Sequence, residues 1–558
     1  MSTSVSPAQI LHSDILRLIL KYVVQDSKTR ELGSIGNIYY LRHILYVCSA
    51  WRQEVREYLW KKLCLTIDNK SNDAYIDQPG LRPSSKPSLI ATSLVRELRV
   101  KVAGASIASG AAHKLLTELM GDTATMIQAR KLCVTITDGF VTPEEPMNSS
   151  IDNVLEFTRL LKSMTHDILV EAQLHYHGNH RETRNCNEEL FASLLGEIFL
   201  GTNRQRLELE DLSFKQQSTI DCIPQLFSLH LNCYNSPTLS HNLVHKCASS
   251  LQDLNILNYN AKSLIYDKNG KAVIYPKLQY LDLTLNYSNS SKRMLAPNIV
   301  PFPVLKCLKM NEFYLFGDDM MFRGNSATLE NLELCLYAED VAVLSTSPVF
   351  NNEFKNLRTV SIAGSKARNN LTQVPMPTMH KFIGNLAANA RKLALTNNIS
   401  VSGLIDLASS GCRFENIKEL AIRGNKPTLY DILRLLKVLP VLAKLECNID
   451  DWDSGFDQLT DDELPDHVAS NFGNAGKYLH TWLLPHTRNE RSINIAEYVM
   501  LLAIACPRLE SVETLCIDSR SYHTRVTEAS RSGPFSKYAS CLNQLLDGII
   551  IVEDVVQN

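Results

Sequence analysis

Three groups of residues in this chain have side chains that could do chemistry. The first is a histidine cluster: His175, His177 and His180, with Cys186 nearby, supply nitrogen and sulfur donors of the kind that bind zinc. Their spacing matches no standard structural zinc site. We therefore interpret the stretch as a solvated polar loop and expect no metal there. The alternative, an enzyme with a hidden zinc site in this cluster, predicts bound zinc in the purified protein.

The second group is an acidic stretch between Asp450 and Asp466 that resembles a calcium loop. Counted from Asp451, however, the glycine of an EF-hand comes one position too early, at Gly455, and Asp462 replaces the closing glutamate. The pattern favours a negatively charged surface loop. Its central acidic residues are Asp451, Asp453, Asp457 and Asp462.

The third group is a run of small residues between Gly104 and Gly110. No Gly-Lys-Ser/Thr follows it, so it lacks the lysine and hydroxyl that hold phosphate in a P-loop. A Gly-x-Ser-x-Gly elbow, a zincin helix and a dinucleotide-binding glycine motif are also missing from the sequence. We expect a binding protein without catalytic residues, metal or cofactor.

Composition narrows the classes of partner. The 558 residues include 57 Lys and Arg against 59 Asp and Glu, without a long basic run, so neither nucleic acid nor an anionic membrane is an expected partner. The sequence has no stretch of about 20 apolar residues and no leader-like start. Its 14 cysteines are scattered without a Cys-x-x-Cys pair. This pattern is typical of a reducing compartment, the cytoplasm or the nucleus.

A divergent leucine-rich pattern, L-x-x-L-x-L, recurs through the middle of the chain. The middle aliphatic residues of its clearest units recur within the period of about 20–29 residues that leucine-rich repeats have, with one longer step before Leu393. They are Leu229, Leu254, Leu281, Leu308, Leu332, Val360, Leu393, Leu420 and Leu445. Between strands, Thr428 and Asp431 predict a capped helix with an apolar stripe at Leu429, Ile432, Leu436 and Leu439.

These repeats predict an α/β fold in which a solenoid of about fifteen turns runs over residues 94–518. Its parallel strands would line the concave face of a horseshoe and its helices the convex face. The leucines hold the stack together, so partner binding is expected at the variable positions between them. Our candidates on the concave face are Tyr280, Asp282, Lys309 and Arg423. Residues 68–93 are rich in Ser, Pro, Asn and Asp and predict a linker or long loop, and residues 519–558 a C-terminal cap or tail.

Residues 1–67 predict three short helices. Apolar residues recur at helical spacing from Ile15 to Val23, from Leu41 to Cys48 and from Val55 to Leu63. Three short helices bury little surface against one another, so this cluster needs another protein to pack on, or else forms an N-terminal cap on the solenoid.

The segments LHSDILRLILKYV and YLRHILYVCSAWRQEVREYLWKKLCL resemble an F-box. With the divergent, fungal-like repeats that follow, the chain resembles the substrate receptors of Skp–cullin–F-box ubiquitin ligases. The resemblance implies a Skp-type adaptor and a cullin ligase as partners, and an unknown protein substrate on the solenoid. The residues it implies in adaptor binding are Leu11, Ile15, Leu16, Ile19, Leu20, Leu45, Val47, Cys48, Trp51, Leu59 and Trp60. The alternative is a leucine-rich-repeat interaction scaffold without a ligase role.

Overall fold

The structure, a computed structural model, describes the greater part of the chain from Trp60 onward. The residues described are 60–68, 73–77, 84–85, 90–137, 140, 147–166, 169–177, 187–210, 217–232, 237–259, 261–285, 299–311, 321–336, 341, 344–347, 354–364, 376–396, 401–409, 414–423, 427–447, 456, 459–460, 462–484, 495–514, 519–540 and 542–543.

The chain divides into two units. The first comprises Met1–Tyr259 with Asp267–Asn269, and the second comprises Asn260–Tyr266 with Gly270–Asn558. The strands described in the first unit are β1 (Lys62–Asp68), β2 (Asp73–Ile76), β3 (Glu97–Val102), β4 (Lys131–Ile136), β5 (Glu171–His177), β6 (Arg204–Glu210), β7 (Ser228–Asn232) and β8 (Asp253–Tyr259). Strands β1 and β3 to β8 are parallel neighbours in chain order, and β2 is antiparallel to β1.

Helices connect the parallel strands of the first unit. Those described are α1 (Gly104–Ala108), α2 (Ala111–Met120), α3 (Met147–Ser163), α4 (Glu188–Phe199), α5 (Gln217–Cys222) and α6 (Pro237–Cys247). In β3 the side chains of Leu98, Val100 and Val102 are buried, and those of the alternate residues are not. This alternation explains the layering, because successive side chains of a strand point to opposite faces, and the apolar face is covered by the helices.

The second unit repeats the arrangement. Its strands are β9 (Tyr280–Leu285), β10 (Cys307–Asn311), β11 (Asn331–Leu336), β12 (Thr359–Gly364), β13 (Lys392–Thr396), β14 (Glu419–Arg423), β15 (Lys444–Cys447), β16 (Thr481–Leu484) and β17 (Ser511–Thr514). All nine are parallel neighbours in chain order. The helices described are α7 (Ala261–Ile265), α8 (Met376–Ala387), α9 (Val401–Ser409), α10 (Leu429–Val438), α11 (Leu464–Phe472), α12 (Ile495–Ala505) and α13 (Ser519–Arg531).

The strand register of the second unit confirms the predicted repeat. The middle aliphatic residues lie opposite one another on successive strands, in the order Leu281, Leu308, Leu332, Val360, Leu393, Leu420 and Leu445. All of them are buried. Each fully buried leucine contributes about 2 kcal/mol of transfer free energy, so this row is a main source of stability. The fold of each unit is that of the leucine-rich repeat.

The capped helix predicted after Thr428 is confirmed as α10. The backbone N–H of Asp431 donates to the Thr428 hydroxyl oxygen over 3.1 Å. This bond satisfies one of the N–H groups that the first turn of a helix leaves free. The predicted apolar stripe is buried, including Leu429, Ile432 and Leu436.

The sheet begins earlier than the sequence predicted. Strand β1 starts at Lys62, before the predicted solenoid start at Leu94, and lies parallel to β3. Strand β2 and a 3-10 helix at Thr92–Leu94 belong to the segment 68–93, which we had taken for a linker. The alternating pattern of KLCLTID explains β1, because Leu63, Leu65 and Ile67 face the core.

One interpretation of a candidate chemical segment was wrong in secondary structure. His175 and His177, which we assigned to a polar loop, lie on strand β5. The small-residue run between Gly104 and Gly110 forms helix α1. Gly110 follows it with φ +76°, and a Cβ at this position would lie 2.8 Å from the Asn153 side-chain oxygen. Glycine is therefore required there for conformation and space, and not for phosphate binding.

The C-terminal segment predicted as a cap or tail is helical where it is described. After α13 comes a 3-10 helix, Pro534–Tyr538, whose Lys537 and Tyr538 side chains bond to Asp466 of α11. Across the described part of the chain, the helices are all too short or too polar to cross a membrane.

Candidate protein-interaction surface

The open face of each sheet is formed by the strand side chains that alternate with the buried rows. In the second unit it contains all four residues that the sequence singled out for partner binding. Tyr280 and Asp282 lie on β9 and Lys309 lies opposite Asp282 on β10. Arg423 is on β14, four strands further along. The structure thus brings three of the candidates together and places the fourth apart.

These candidates are held by polar contacts with their neighbours. The Tyr280 hydroxyl donates to Asp282 over 3.2 Å, and the Lys309 ammonium lies 3.3 Å from a Glu333 oxygen. Burial lowers the pKa of Lys309, but the charge of Glu333, the hydrogen bond to Glu333 and the charge of Asp282 together outweigh it and leave that pKa above its usual value. The open face near β9 and β10 is therefore a charged, preorganised surface, on which a partner would compete with existing ion pairs.

Arg423 makes the best-formed ion pair of this face. Its guanidinium donates two hydrogen bonds to Glu446 on β15, Nε to Oε1 over 2.7 Å and Nη2 to Oε2 over 3.2 Å. The bond to Glu446 raises the pKa of Arg423 above its usual value, against the opposing effect of burial. The planar fork of arginine suits such two-point contacts. Arg423 thereby fixes the side chain of Glu446 between two repeats.

The first unit carries an imidazole–carboxylate ladder on its open face, which we define as His175, Glu208 and His230. Glu208 lies opposite both histidines in the register of β5, β6 and β7. Its carboxylate is hydrogen-bonded to Nδ1 of His175 and lies 3.4 Å from Nδ1 of His230. A parallel contact joins His177 Nδ1 to Glu210 over 2.6 Å. The two carboxylates of β6 thus orient three imidazole rings, two on β5 and one on β7.

Charge is concentrated at the centre of this ladder. The hydrogen bond from His175 lowers the pKa of Glu208, against the opposing effect of burial. Burial would lower the pKa of His175, but its contacts with the Cys133 thiol and the Glu208 carboxylate raise that pKa to about 9. At neutral pH the pair therefore consists of an imidazolium and a carboxylate.

Cys133, His175 and Glu208 stand in the order of a nucleophile, a base and an orienting carboxylate. Such an order is a signature of nucleophilic catalysis when the nucleophile can reach a substrate. Cys133 is only 7% exposed. Because substrate access is so limited, we interpret the group as a polar brace between strands β4, β5 and β6.

Most of the other residues singled out for chemistry lie outside the described residues. These are His180, Cys186, Asp451, Asp453, Gly455 and Asp457. Asp462 is described and exposed. In the described ranges, no group of three or more His, Cys, Asp or Glu side chains is placed to hold a metal ion.

The implied adaptor-binding residues from Leu11 to Leu59 also lie outside the described residues. Trp60 is described, and it is 6% exposed just before β1. A tryptophan buried at this point belongs to the start of the repeat domain as well as to the F-box-like segment. Its burial leaves the Trp60 side chain little surface for direct contact with another protein.

Two polar features of the open face and its turns were not predicted from the sequence. One is the imidazole–carboxylate ladder, which an alignment of QLHYH with RLELE and SLHLN would have found, because the polar residues occupy equivalent alternate positions. The other is a set of asparagine amides in the turns before the strands. Asn356, Asn389 and Asn416 donate to backbone carbonyl oxygens of the preceding repeat, at Ala327 (2.5 Å), Phe354 (3.5 Å) and Ala388 (3.3 Å). These bonds satisfy carbonyl groups in the connections between repeats.

Comparisons with known proteins assign no function to the chain. No protein-family model matches the chain, and no curated protein matches it. Among solved structures, it is similar to a chain of the Rad7 and Elc1 complex in yeast, with 15% identity, a TM-score of 0.33, and coverage of 80% of this chain and 94% of that one. It is also similar to the leucine-rich repeat-containing protein LegL7 from Legionella pneumophila, with 12% identity, a TM-score of 0.24, and coverage of 77% and 94%. A protein from Bacteroides fragilis matches at 10% identity and a TM-score of 0.18, over 62% and 66% of the two chains. The fold assignment rests on the strand register and not on these similarities.

Proposed function

We propose that this protein is the substrate-recognition subunit of a Skp–cullin–F-box ubiquitin ligase. Residues 1–67 would dock on a Skp-type adaptor, and the open face of the repeats would hold a protein substrate. The chain itself would catalyse nothing, since ubiquitin transfer would belong to other subunits. We place the protein in the cytoplasm or the nucleus, where such ligases work.

The observation that carries the proposal is the junction between the F-box-like segment and the repeats. Only Lys61 separates Trp60 from strand β1. A receptor must hold its substrate at a fixed distance from the ligase, because its contribution is a high effective concentration of the substrate lysine. A junction without a flexible linker would fix that distance.

The open faces of the repeats supply the second half of the argument. Where they are described, they present ion pairs, imidazoles and the Tyr280 hydroxyl on parallel strands. Arginine and tyrosine are side chains that protein interfaces favour. A surface of this kind suits a protein partner better than a small molecule, which needs a concave pocket.

Co-purification of the full chain with a Skp-type adaptor tests the ligase assignment. Leu20→Ala and Trp51→Ala should each reduce adaptor recovery by at least about tenfold, because truncating a large apolar side chain at the centre of an interface costs about 2 kcal/mol or more. Leu200→Ala is the matched control, since Leu200 is 67% exposed in the repeats and its truncation should leave recovery unchanged.

Two outcomes would contradict the proposal. If both variants recover the adaptor as the unaltered chain does, the F-box-like segment is not the docking site. If the folded, unaltered chain recovers no adaptor, the protein is an interaction scaffold without a ligase role.

A further inference from the structure

Three cations follow one another on neighbouring repeats of the second unit. Arg358, Arg391 and Lys418 are the residues immediately before β12, β13 and β14, and we call them the basic row. Backbone hydrogen bonds of 2.8 Å from Arg391 N–H to Arg358 C=O and from Lys418 N–H to Arg391 C=O show that they are adjacent. All three side chains are exposed. Neighbouring strands lie about 4.8 Å apart, so the backbone atoms of the three residues lie within about 10 Å of one another.

Charges alternate along register rows inside the strands but not along the row of residues that immediately precede the strands, where Lys61, Arg96 and Arg130 of the first unit form a similar run of exposed cations. In the first unit, Lys62, Glu97, Lys131, Glu171 and Arg204 alternate in sign along one register row. In the second unit, Lys309 lies 3.3 Å from Glu333, and Lys392 lies 2.7 Å from Glu419. Alternating signs stabilise neighbouring strands, whereas like charges side by side destabilise them.

No carboxylate compensates the basic row. Within the part of the chain that the structure describes, none of its three members forms a salt bridge. Glu330 precedes Arg358 in the same row, but its carboxylate lies 3.5 Å from the Lys306 ammonium. Glu419 is engaged by Lys392. Lys355 and Glu415, three residues before Arg358 and Lys418, are both exposed and offset each other in charge, and Lys444, whose backbone N–H donates to Lys418 C=O, is half-exposed. The result is a local excess of positive charge held at the cost of mutual repulsion.

An anionic partner would relieve this repulsion. Arginine guanidinium groups bind carboxylate and phosphate oxygens at two points, and two of the three members are arginines. The row is short, and the chain as a whole has a formal net charge of −2. Nucleic-acid interfaces are typically extended basic surfaces of strongly basic domains, so a short segment of polypeptide fits the row better.

We propose that the basic row of Arg358, Arg391 and Lys418 docks an acidic segment of the protein bound by the repeats. This inference rests on the proposed protein-binding role of the repeats and is independent of the ligase assignment. The negative charge of the segment would come from Asp and Glu or from phosphorylated residues. Both present oxygen acceptors to the same cations.

Fluorescence anisotropy with labelled peptides tests the proposal on the full chain. The probes are four: a peptide of alternating Glu and Ser, the same peptide with phosphoserine for Ser and Gln for Glu, an uncharged Gln and Ser peptide, and single-stranded DNA of similar length. We expect one or both acidic peptides to bind, with an affinity that falls as salt is raised. Which of the two binds identifies the source of the charge.

The variant removes charge from the row without reversing it. Arg358→Gln with Arg391→Gln and Lys418→Gln should weaken acidic-peptide binding by at least about tenfold. The matched control is Lys162→Gln with Lys306→Gln and Lys537→Gln, whose cations already contact carboxylates, and it should change binding by less than about twofold. If the triple variant fails to fold, Arg391→Gln alone provides the measurement, with an expected loss of about threefold.

Several results would overturn the proposal. They are binding of neither acidic peptide, equal binding of the uncharged peptide, equal losses in variant and control, or tighter binding of DNA through the same row. Adaptor recovery separates this test from that of the ligase assignment. If the unaltered chain recovers the adaptor but binds neither acidic peptide, the row alone is refuted. If the unaltered chain binds acidic peptide through the row but recovers no adaptor, the ligase assignment alone is refuted.

Discussion

The His175–Glu208 ion pair predicts a specific pH dependence of stability. The folded protein raises the pKa of His175 from 6.5 to about 9. A group whose pKa is raised on folding stabilises the folded state while it is protonated. The contribution is therefore fully present below pH 6.5, and it is lost as the pH rises through about 9. His175→Gln removes the contribution at every pH.

The magnitude follows from the size of the pKa change. A difference of about 2.5 units corresponds to roughly 3 kcal/mol at about 1.36 kcal/mol per unit, if the pair were fully shielded from water. The side chains of His175 and Glu208 keep 22% and 23% of their surface exposed. Solvent screening of such a half-buried pair reduces the expected contribution to about 1 kcal/mol.

Urea unfolding of the full chain and of His175→Gln between pH 6 and pH 9.5 measures the effect. The difference in free energy of unfolding should be about 1 kcal/mol at the acidic end and should approach zero at the alkaline end. His480→Gln is the control, because His480 lies 3.5 Å from a more exposed carboxylate, Glu510. A difference for His175→Gln that stays constant across this range would refute the ion-pair reasoning.

Three further experiments test the repeat itself. Trp482→Ala should lower the free energy of unfolding by about 3–5 kcal/mol, measured by urea titration, because this fully buried side chain occupies the position of the consensus leucine. Thr428→Ala should cost about 1 kcal/mol in the same assay through loss of the helix cap, and Thr428→Ser should restore most of it. A double-mutant cycle of Arg423→Gln and Glu446→Gln should give a coupling of no more than about 1 kcal/mol, and a larger value would mean that this exposed pair is far better shielded than its geometry indicates.

The sequence predicted the core of the second unit well because the core depends on a period. A leucine at the same position of each repeat packs against the equivalent leucine of the preceding repeat. The cross-strand register shows this row of paired aliphatic residues. Strand β16 was not predicted. It carries Trp482 where the pattern asks for leucine, and it follows the preceding strand by a longer interval. The core accommodates the tryptophan at this position, but a tryptophan there does not match the leucine pattern from which the strands were predicted.

The open face was predicted only in outline, because its chemistry depends on neighbours that are distant in sequence. The distance between His175 and Glu208 along the chain gives no hint of their contact, which exists only once β5 and β6 are in register. The same holds for the basic row, whose members Arg358, Arg391 and Lys418 come from three different repeats. Because the segment of His175 was assigned to a loop and not to a strand, its cross-strand contact with Glu208 could not be predicted.

The contacts of Lys537 and Tyr538 with Asp466 bear on how the C-terminal repeats come apart. The two side chains reach back to α11 over 2.6 and 2.8 Å, past the strands β16 and β17 that lie between them along the chain. An ordinary solenoid frays from its end one repeat at a time, since each repeat touches only its neighbours. Here the 3-10 helix that follows β17 bonds to α11, which precedes β16 and β17 along the chain. These repeats therefore form a closed loop of contacts. Truncation before Pro534 should therefore loosen β16 and β17 together, as one cooperative unit rather than as successive steps.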